Sequence, residues 1–512
     1  MMNKIYFFIL LISFLSKAQN QTIGLFQYNE DSYSGYTLFS PNNFTYLIDN
    51  CGELVHSWES DYNTGLSVYL LNNGNLLRTC RINNQYFDNT GGSGGRIELR
   101  SWNNNLLWSS DFSNETYYQH HDIEPLPNGN ILILCWEKKN LIDCILAGRN
   151  PSTLPDNELW STYIMEIKPQ GNESYDIVWE WRLWDHLIQD SDPSKPNYGQ
   201  IDENPGRFNI NFYKNNGEDD WLHCNSIDYN EVLDQIVIGS KKTSEFYIID
   251  HSTSSEEAMT SNGGLSNNGG DFLYRWGNPS VYNSGTEEDQ KLFGQHDVQW
   301  IWDYPQDEGK LLVFNNGQGR GYSSIEILNP NIDGFNYINN LQLEPEWSYN
   351  DPEPENFYAS FISGVQKLPN GNTLICDGPH GRFFEINQEK EKVWEYINPV
   401  TDSPLYQGDI IPEAANGNGL TNKTFRCSRY PFSYPAFDGR DLFALGPIEL
   451  NPTDTECSQI VELEEFNLQE KNNKTLLYIT NILGQKTKPK SFSLGFYIYD
   501  DGTVEKKMII ED

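Results

Sequence analysis

The clearest pattern along the chain is a short apolar strand with a tryptophan near its centre. It occurs six times, as ELVHSWES, NLLWSSD, DIVWEWR, FLYRWGN, EPEWSYN and KVWEYIN, with the tryptophans at Trp58, Trp108, Trp179, Trp276, Trp347 and Trp394. An alternating strand and a polar turn precede each copy, as in FTYLID-NCG and RIELRSW-NNN. Two apolar strands separated by a short polar turn predict a β-hairpin that ends at each tryptophan.

A second hairpin follows each tryptophan. Its turn is an Asn-Gly pair between apolar runs in LNNGNLL (71–77), LPNGNILIL (126–134) and LPNGNTLIC (368–376), which is a strong local hairpin signal. Weaker copies begin at His223, His296 and Phe425. Six units of four strands predict an all-β chain folded as a six-bladed β-propeller.

The two ends of the repeat are complementary. The first tryptophan hairpin, 44–59, has no hairpin before it, and the last hairpin, 425–446, has none after it. Joined as N-terminal and C-terminal half-blades, they complete the sixth blade and remove the exposed strand edges. A row of unrelated β-sandwiches leaves this complementarity unexplained. We therefore predict a closed propeller over residues 19–451.

The segments outside the repeat have other compositions. Residues 1–18 carry an apolar run from Ile5 to Leu15 and end in small residues at Ala18, which predicts a cleaved signal peptide. The alternative, a membrane anchor, is disfavoured because the run is too short to span a bilayer. Residues 452–470 indicate an acidic linker, and residues 471–512 predict a small C-terminal β-domain with a turn at Asp501.

The C-terminal segment resembles the C-terminal sorting domain of the Bacteroidetes type IX secretion system. Its LLYITNILGQ and YIYDDGTVEKK stretches carry the likeness. The resemblance implies outer-membrane secretion machinery as a partner, and release from the cell or anchoring at its surface. The alternative is a small structural β-domain. We expect a secreted or cell-surface protein without stable membrane insertion.

Eight cysteines in an exported chain permit disulfides, and none has the Cys-x-x-Cys spacing of a zinc site. A closed propeller brings Cys51 and Cys457 into one blade, so they form the first expected pair. Cys135 and Cys144 lie close together on one hairpin and form the second. Sequence alone leaves the connectivity open.

The net charge of the chain limits the kinds of molecule that it can bind. Acidic residues outnumber basic ones 72 to 35, which gives a net charge of −37. A chain of this charge repels phosphates, so nucleic acid is not an expected partner. The same repulsion disfavours docking on an anionic membrane surface.

Four of the eight histidines lie at equivalent places in the repeat. The strand after each tryptophan hairpin is the innermost of its blade, and innermost strands converge on the central channel. His120 and His121 open one such strand in HHDIEPLPNGN, His223 opens another in WLHCNSIDY, and His296 lies in FGQHDVQW. Because side chains alternate along a strand, only one of His120 and His121 is expected to face the channel.

Other polar residues share this part of the repeat. Asn225 lies two residues after His223 on the same strand face, and Ser363 occupies the matching place in FISGVQKL. Lys241 ends the neighbouring strand in IVIGSKK, and Tyr430 lies in the innermost strand of the last hairpin. These side chains, like the histidines, are candidates for a site at one mouth of the channel.

Three converging imidazoles allow two chemistries. They can hold a metal such as zinc with an open coordination position. Alternatively, one acts as a nucleophile while the others stabilise an anionic group. Lys241 and Lys242 favour the second, because ammonium groups repel a divalent cation. The chain has neither a P-loop motif nor GxGxxG, and GGSGGR at 91–96 indicates a hairpin loop, so we expect no cofactor.

The motifs HHDIEPLPNGN, WLHCNSIDY, GSKK, FGQHDVQW and SGVQKLPNGNTL resemble those of the bacterial aryl-sulfate sulfotransferases over roughly residues 24–450. Those enzymes are six-bladed propellers that move a sulfuryl group between phenols without a nucleotide sulfate donor. The resemblance implies an aryl sulfate donor, a phenolic acceptor and His296 as the nucleophile that becomes sulfated. His121 and His223 would bind the sulfuryl oxygens and assist proton transfer. Asn225 would donate a further hydrogen bond, and Ser363 would line the pocket.

One position departs from the family pattern. The family places an arginine where this chain has Lys241, which keeps the charge and loses the planar fork that grips two oxygens. Two other functions therefore stay open. One is a non-catalytic surface propeller that binds sulfated or other anionic ligands. The other is a metal-dependent hydrolase or lyase that uses the axial histidines as ligands.

Overall fold

The structure, a computed structural model, describes residues 21–87, 91–154, 156–212, 219–338, 343–415, 417–453 and 457, and four strands of the C-terminal segment. The chain divides into two compact units, Met1–Cys457 and Ser458–Asp512. The predicted signal peptide, residues 1–18, lies outside the described residues, as does most of the predicted linker at 452–470.

The first unit is built mainly of antiparallel strands. The first half contains β1 (Gly24–Tyr28), β2 (Gly35–Phe39), β3 (Phe44–Ile48), β4 (Leu54–Glu59), β5 (Thr64–Leu70), β6 (Leu76–Arg81), β7 (Gly95–Arg100), β8 (Leu106–Asp111), β9 (Tyr117–Pro125), β10 (Ile131–Asn140), β11 (Glu158–Gln170), β12 (Ser174–Arg182), β13 (Leu187–Ile188) and β14 (Phe208–Asn209). The second half contains β15 (Cys224–Asn230), β16 (Gln235–Ser240), β17 (Glu245–Asp250), β18 (Tyr274–Trp276), β19 (His296–Trp300), β20 (Leu311–Asn315), β21 (Ser324–Leu328), β22 (Ile332–Asp333), β23 (Asn336–Tyr337), β24 (Trp347–Tyr349), β25 (Gly364–Lys367), β26 (Thr373–Asp377), β27 (Arg382–Ile386), β28 (Lys392–Ile397) and β29 (Cys427–Pro431).

Helices in the described part of the chain are short. The α-helices are α1 (Leu141–Leu146) and α2 (Ser255–Ala258). The 3₁₀ turns are Pro151–Thr153, Leu183–His186, Pro279–Tyr282, Glu287–Asp289, Pro354–Asn356, Gly378–His380 and Pro435–Phe437. None of these helices has the length and apolar character of a membrane span.

The main sheets form six blades around a channel, which confirms the all-β, six-bladed propeller. From channel to rim, blades 2 to 5 are β5–β8, β9–β12, β15–β18 and β19-β20-β21-β24. Blade 6 is β25–β28 with β1 added as a fifth, outermost strand. Blade 1 joins β29 to β2, β3 and β4, so the two ends of the propeller chain meet in one sheet.

Five of the six repeated tryptophans donate a hydrogen bond from their indole to the next blade. Trp108 of blade 2 is buried, and its indole Nε1–H donates to the Ser174 carbonyl of blade 3 at 2.8 Å. The Trp394 indole of blade 6 donates in the same way to Asn50 of blade 1 at 2.8 Å. The other donor–acceptor pairs are Trp58–Ser101, Trp179–Thr253 and Trp276–Leu343. Apolar residues of neighbouring blades fill the space around these indoles, so the cores lie between blades.

The Asn-Gly turns also have a common geometry. In blade 2 the Gly74 N–H donates to the Leu71 carbonyl, and the Leu71 N–H donates to the Asn75 carbonyl, both at 2.8 Å. Gly74 has a φ of 84°, which favours glycine. This is a three-residue hairpin loop with glycine in the left-handed position. The equivalent loops of blades 3 and 6 repeat the same hydrogen bonds.

A ring of hydrogen bonds joins the innermost strands around the channel. At each junction a side chain of one inner strand bonds to a group of the next. The pairs are Tyr430–Leu70, Tyr69–Asp122, Asp122–Ile227, Asp228–Trp300, Asp297–Val365 and Gln366–Arg429. These bonds fix the inner strands relative to one another, and therefore fix the side chains that face the channel.

Closure by both termini is confirmed, but the division differs from the expected two half-blades. The C-terminal segment supplies only β29 to the sheet of blade 1, and the N-terminal segment supplies three strands. After β29 the chain turns through Pro435–Phe437, where proline cannot donate to a strand ladder. The segment then reaches the outer edge, where the Leu445 N–H donates to the Leu54 carbonyl at 2.7 Å. The same segment thus holds both edges of blade 1.

One of the two expected disulfides is present. Cys51 and Cys457 are bonded, with 5.7 Å between their Cα atoms and 406 residues between them in sequence. Cys135 and Cys144 instead remain separate, buried thiols. Cys135 faces the same side of β10 as Ile133, whereas Cys144 packs with Leu134 on the opposite side. Because side chains alternate along a strand, the sheet separates the two sulfurs.

A half-buried charge cluster joins blades 3 and 4. His251 places Nδ1 at 2.7 Å from Asp234 Oδ1 and Nε2 at 3.0 Å from Glu166 Oε2. Burial lowers the pKa of His251, but its hydrogen bonds to the two carboxylates outweigh this effect and raise the pKa to about 9. The imidazolium is therefore charged at neutral pH and ion-paired with both blades.

This cluster predicts a specific pH dependence of stability. The pKa of His251 is about 6.5 in an unfolded chain and about 9 in the folded protein. The stabilisation is therefore complete below about pH 6.5 and is lost as the pH rises through about 9. We expect the free energy of unfolding to fall over this window by up to about 3 kcal/mol, measured by urea titration. His251→Gln should lack that component. Parallel pH dependences of wild type and variant would contradict the assignment.

The second unit contains a four-stranded sheet in the order β31-β30-β32-β33. Its strands are β30 (Leu476–Thr480), β31 (Lys486–Thr487), β32 (Ser493–Tyr499) and β33 (Val504–Ile509). The expected small C-terminal β-domain therefore has strands where the sequence predicts them, with β31 in addition.

Candidate active site

The innermost strands are irregular at one mouth of the channel. Leu66, His121, His223, Asp297 and Ser363 have positive φ values of 103°, 49°, 50°, 53° and 89°. Strand pairing shifts register at this level in blades 2 to 5. A side chain in the left-handed region costs about 1–2 kcal/mol, and a bulge re-aims the residues around it. The sequence predicts the strands but not these bulges.

The four residues predicted to be catalytic share one cavity. His121, His223, His296 and Lys241 line a space of about 1590 Å³ at this mouth. Its wall also carries cationic and aromatic residues, including Arg81, Lys242, Lys423, Trp160, Phe361 and Phe425. This volume exceeds the usual 300–1,000 Å³ of a small-molecule site, so a donor and an acceptor have room side by side.

His296 is held in one tautomer by Asn316. The Asn316 Nδ2 donates to the carbonyls of Ala359 and Ile362 at 2.7 and 2.9 Å. Its Oδ1 therefore faces His296 Nδ1, at 2.7 Å, and accepts a hydrogen bond from the Nδ1–H. With Nδ1 protonated, a neutral His296 carries its lone pair on Nε2. That is the arrangement a nucleophilic imidazole requires.

His223 is oriented by a carboxylate. Its Nδ1 donates to Asp220 Oδ2, and the Asp220 Oδ1 accepts from the indole Nε1–H of Trp136 at 3.0 Å. Burial raises the pKa of Asp220, but its pairing with His223 and the charge of Lys242 outweigh this effect and hold that pKa well below its usual range. Asp220 is thus an anion that fixes the His223 tautomer and leaves Nε2 for a ligand.

His121 is packed against a second imidazole and a glycine loop. Its Nδ1 lies 2.8 Å from the Nδ1 of His120, so one ring donates to the other. His120 does not line the cavity and stacks on Trp136, with ring centroids 4.0 Å apart. Gly92 has a φ of 95°, and a Cβ there would overlap the His121 ring. The Gly-rich segment predicted to be a hairpin loop therefore makes room for His121.

Burial and positive charge keep the imidazoles neutral. Burial, then the charge of Lys241, lowers the pKa of His296 well below its usual range. Burial, then the neighbouring imidazoles, His223 first, and Lys241, lower the pKa of His121 in the same way. Burial also lowers the pKa of His223, even though Asp220 opposes the change. At pH 7 the site presents neutral imidazoles next to a lysine.

The three residues predicted to bind substrate lie outside the wall of this cavity. Asn225 is buried behind the histidines, and its Nδ2 donates to the Gln295 carbonyl at 2.8 Å. Ser363 is also buried, and its Oγ accepts from the Gly378 N–H at 3.0 Å. Tyr430 lines a separate cavity of about 240 Å³ further along the channel.

Sequence reasoning missed the partners that orient the histidines. Asp220 lies only three residues before His223, so its spacing was a usable signal. Asn316 lies 20 residues after His296, just past β20, and only the pairing of β19 with β20 brings them together. Among the described residues, no three His, Cys, Asp or Glu side chains are grouped so as to hold a metal ion.

The chain is distantly similar to several solved structures. A Bacteroides caccae protein of unknown function is 13% identical, with 78% of this chain and 99% of that chain covered and a TM-score of 0.39. The Cps50 (Swd1) β-propeller domain of Myceliophteria thermophila is 12% identical, with 74% and 91% covered and a TM-score of 0.37. Virginiamycin B lyase of Staphylococcus aureus is 8% identical, with 75% and 91% covered and a TM-score of 0.34. Likenesses this distant carry no argument about function.

The family comparison is more informative. No curated protein matches the chain. The model of the arylsulfotransferase (ASST) family matches residues 17–414, which include the four residues predicted to be catalytic. Arylsulfotransferase activity in general follows from this match, since it covers more than half of the 512 residues. The chain belongs to the arylsulfotransferase family.

Proposed function

We propose that the protein is an exported aryl-sulfate sulfotransferase that works through a sulfated histidine and needs no nucleotide sulfate donor. The observation that carries the proposal is the orientation of His296. Its Nδ1–H is bound to Asn316, its Nε2 lone pair is left for a substrate, and Lys241 lines the same cavity. Sulfuryl transfer, like phosphoryl transfer, requires an aligned nucleophile and cations near the transferred oxygens.

In the first half-reaction, the His296 Nε2 lone pair attacks the sulfur of the aryl sulfate. The N–S bond forms while the bond between sulfur and the phenolic oxygen breaks, and the phenoxide leaves with the electron pair. His296 keeps its Nδ1 proton, so the ring becomes a sulfated imidazolium whose positive charge balances the sulfuryl negative charge. The role of Lys241 is to offset charge on the sulfuryl oxygens.

In the second half-reaction, an acceptor phenol occupies the place of the departed phenol. The neutral His223 takes the phenolic proton on Nε2, and Asp220 stabilises the resulting imidazolium. The phenolic oxygen then attacks sulfur, the N–S bond breaks, and neutral His296 is restored. His223 passes its proton to solvent. His121 has the role of holding the sulfuryl group between the two steps.

Turnover of a chromogenic phenyl sulfate tests this function. We expect release of the chromogenic phenol that depends on added acceptor phenol, with sulfated acceptor formed in equal amount and no requirement for a nucleotide. Tight binding of the sulfate ester without turnover would instead favour a non-catalytic propeller. Activity that is lost on chelation and restored by zinc would favour metal-dependent chemistry.

Lys241 offers a matched pair of variants. Lys241→Arg supplies a planar fork that grips two oxygens, so we expect kcat to be preserved or raised by a few-fold. Lys241→Met keeps the length and removes the charge, and we expect kcat to fall about 10²-fold or more. Steady-state kinetics with one donor–acceptor pair compares them. Equal kcat values for the Lys241→Met variant and the wild type would show that Lys241 has no role in the mechanism.

The export part of the proposal has its own test. A chain ending after about residue 460 keeps the propeller and the Cys51–Cys457 bond, and it lacks the segment that resembles a sorting domain. We expect this chain to fold and to turn over aryl sulfate in vitro, but not to reach the surface of its native bacterium. Delivery equal to that of the full chain, measured by cell fractionation, would refute the sorting role.

A further inference from the structure

The guanidinium of Arg426 lies in the channel, below the three histidines. Arg426 precedes β29 of blade 1, and its side chain extends toward strands of other blades. Its Nη1 is ion-paired with Asp122 Oδ2 at 2.7 Å, and its Nε with Asp297 Oδ1 at 2.9 Å. Its Nη2 donates to the backbone carbonyl of Asn225 at 3.3 Å.

These three acceptors lie on the three strands that carry the histidines. Asp122 directly follows His121, and Asp297 directly follows His296. The Asn225 carbonyl lies two residues after His223. One side chain from blade 1 therefore contacts blades 3, 4 and 5, close in sequence to each of the three histidines that line the larger cavity.

The contacts of Arg426 lie beside residues whose backbone has an unfavourable conformation. His121, His223 and Asp297 have positive φ values, so the inner strands are held in conformations that side chains disfavour. Asp122 and Asp297 also accept backbone N–H groups of the next blade, from Ile227 at 3.2 Å and Val365 at 2.7 Å. Arg426 thus neutralises the two carboxylates that link the bulged strands together.

Arg426 acts through its neighbours. It lines the smaller cavity of about 240 Å³ together with Asp297, and it is not part of the wall that holds the histidines and Lys241. A substrate in the larger cavity would meet the imidazoles and not the guanidinium. A role in the reaction must therefore come from the placement of the histidines.

The chain segment that supplies Arg426 is also the segment that closes the ring. β29 pairs with β2, and Cys457 further along the same segment is bonded to Cys51. The Arg426 guanidinium therefore reaches Asp122 and Asp297 only when β29 is paired with β2.

We propose that Arg426 is a positioning residue that sets the relative placement of His121, His223 and His296, so that the site is completed only by closure of blade 1. The proposal rests on the sulfotransferase function proposed above. Misplacement of reacting groups by about 1 Å costs on the order of 10²-fold in rate, which sets the size of the expected effect.

The test removes the three charges together. Arg426→Gln alone leaves two buried carboxylates unpaired, which endangers folding. The triple variant Asp122→Asn, Arg426→Gln and Asp297→Asn avoids that. The matched control is Glu385→Gln with Arg429→Gln, which removes another buried ion pair, 2.7 Å long, that uses an arginine of the same strand. This pair contacts none of the three acceptors of Arg426.

We expect the triple variant to lose about 10²-fold in kcat with KM changed less than about threefold, and the control to keep kcat within about threefold. Arg426→Lys should fall between wild type and the triple variant, because a lysine reaches one carboxylate and not both. Wild-type kcat in a folded triple variant would overturn the proposal.

A crystal structure of the triple variant separates this proposal from the sulfotransferase function. Displaced His121 and His296 rings support the positioning role even if the wild-type protein turns over no aryl sulfate. Rings that keep their wild-type positions overturn it, even if wild-type turnover is fast.

Discussion

His296→Asn is expected to lose turnover of aryl sulfate by about 10⁴-fold or more. In the wild type, His296 Nδ1 lies 2.7 Å from Asn316 Oδ1. In the variant, the side-chain NH₂ of the new asparagine takes the place of Nδ1 and can still donate to that oxygen. The substitution therefore removes the nucleophilic Nε2 and leaves the hydrogen bond that anchors the side chain. Steady-state kinetics and the thermal midpoint together measure the outcome, and we expect the midpoint to change little.

The control is a buried histidine outside the cavity. His186 bonds to Asp271 at 2.7 Å and to the Ala258 carbonyl at 2.8 Å, and it has no contact with the site. His186→Asn should lower the thermal midpoint while the folded protein keeps its kcat. A His296→Asn enzyme that keeps more than about 1% of wild-type kcat would contradict the nucleophilic role.

The second large effect concerns the disulfide that joins the ends of the propeller. Cys51→Ser combined with Cys457→Ser should lower the free energy of unfolding by about 5 kcal/mol, because the bond spans 406 residues and loop closure restricts the unfolded chain strongly. Guanidinium titration of both proteins under oxidising conditions measures the difference.

Reduced wild type is the internal control for this experiment. It should unfold at the same guanidinium concentration as the double variant, because both lack the same bond. Cys135→Ala, which removes a separate buried thiol, should cost only about 1 kcal/mol. A double variant as stable as oxidised wild type would show that hydrogen bonding along β29 and β2 alone closes the ring.

The fold was predictable because the strand with a central tryptophan recurs six times. In most blades this large side chain fills the gap to the next blade and its N–H donates across the gap, as Trp108 does to Ser174. The division of blade 1 was not predictable from local sequence. The strand β2 pairs on one side with β3, its neighbour in sequence, but on the other side with β29, which lies almost 400 residues further along the chain.

The candidate site was predictable in part. His121, His223, His296 and Lys241 stood out because histidine is rare in this chain and the repeat placed three of them at one level. The placement of Asn225 on the same strand face as His223 relied on alternation along a regular strand, and the bulge at His223 breaks that alternation. Its role toward substrate, which the family resemblance implies, stays a prediction. Asn316 holds His296 from the neighbouring strand of the same blade, 20 residues further along, and Arg426 reaches across blades to Asp122 and Asp297, so local sequence does not reveal either contact.

The most direct test of the account is mass spectrometry of wild-type protein mixed with an aryl sulfate and no acceptor. A covalent histidine intermediate predicts a mass increase of about 80 Da on the peptide that contains His296, and its disappearance when a phenol is added. The His296→Asn protein should show no increase under the same conditions. Steady turnover by wild type with that peptide unmodified, or the same adduct on another residue, would contradict the mechanism.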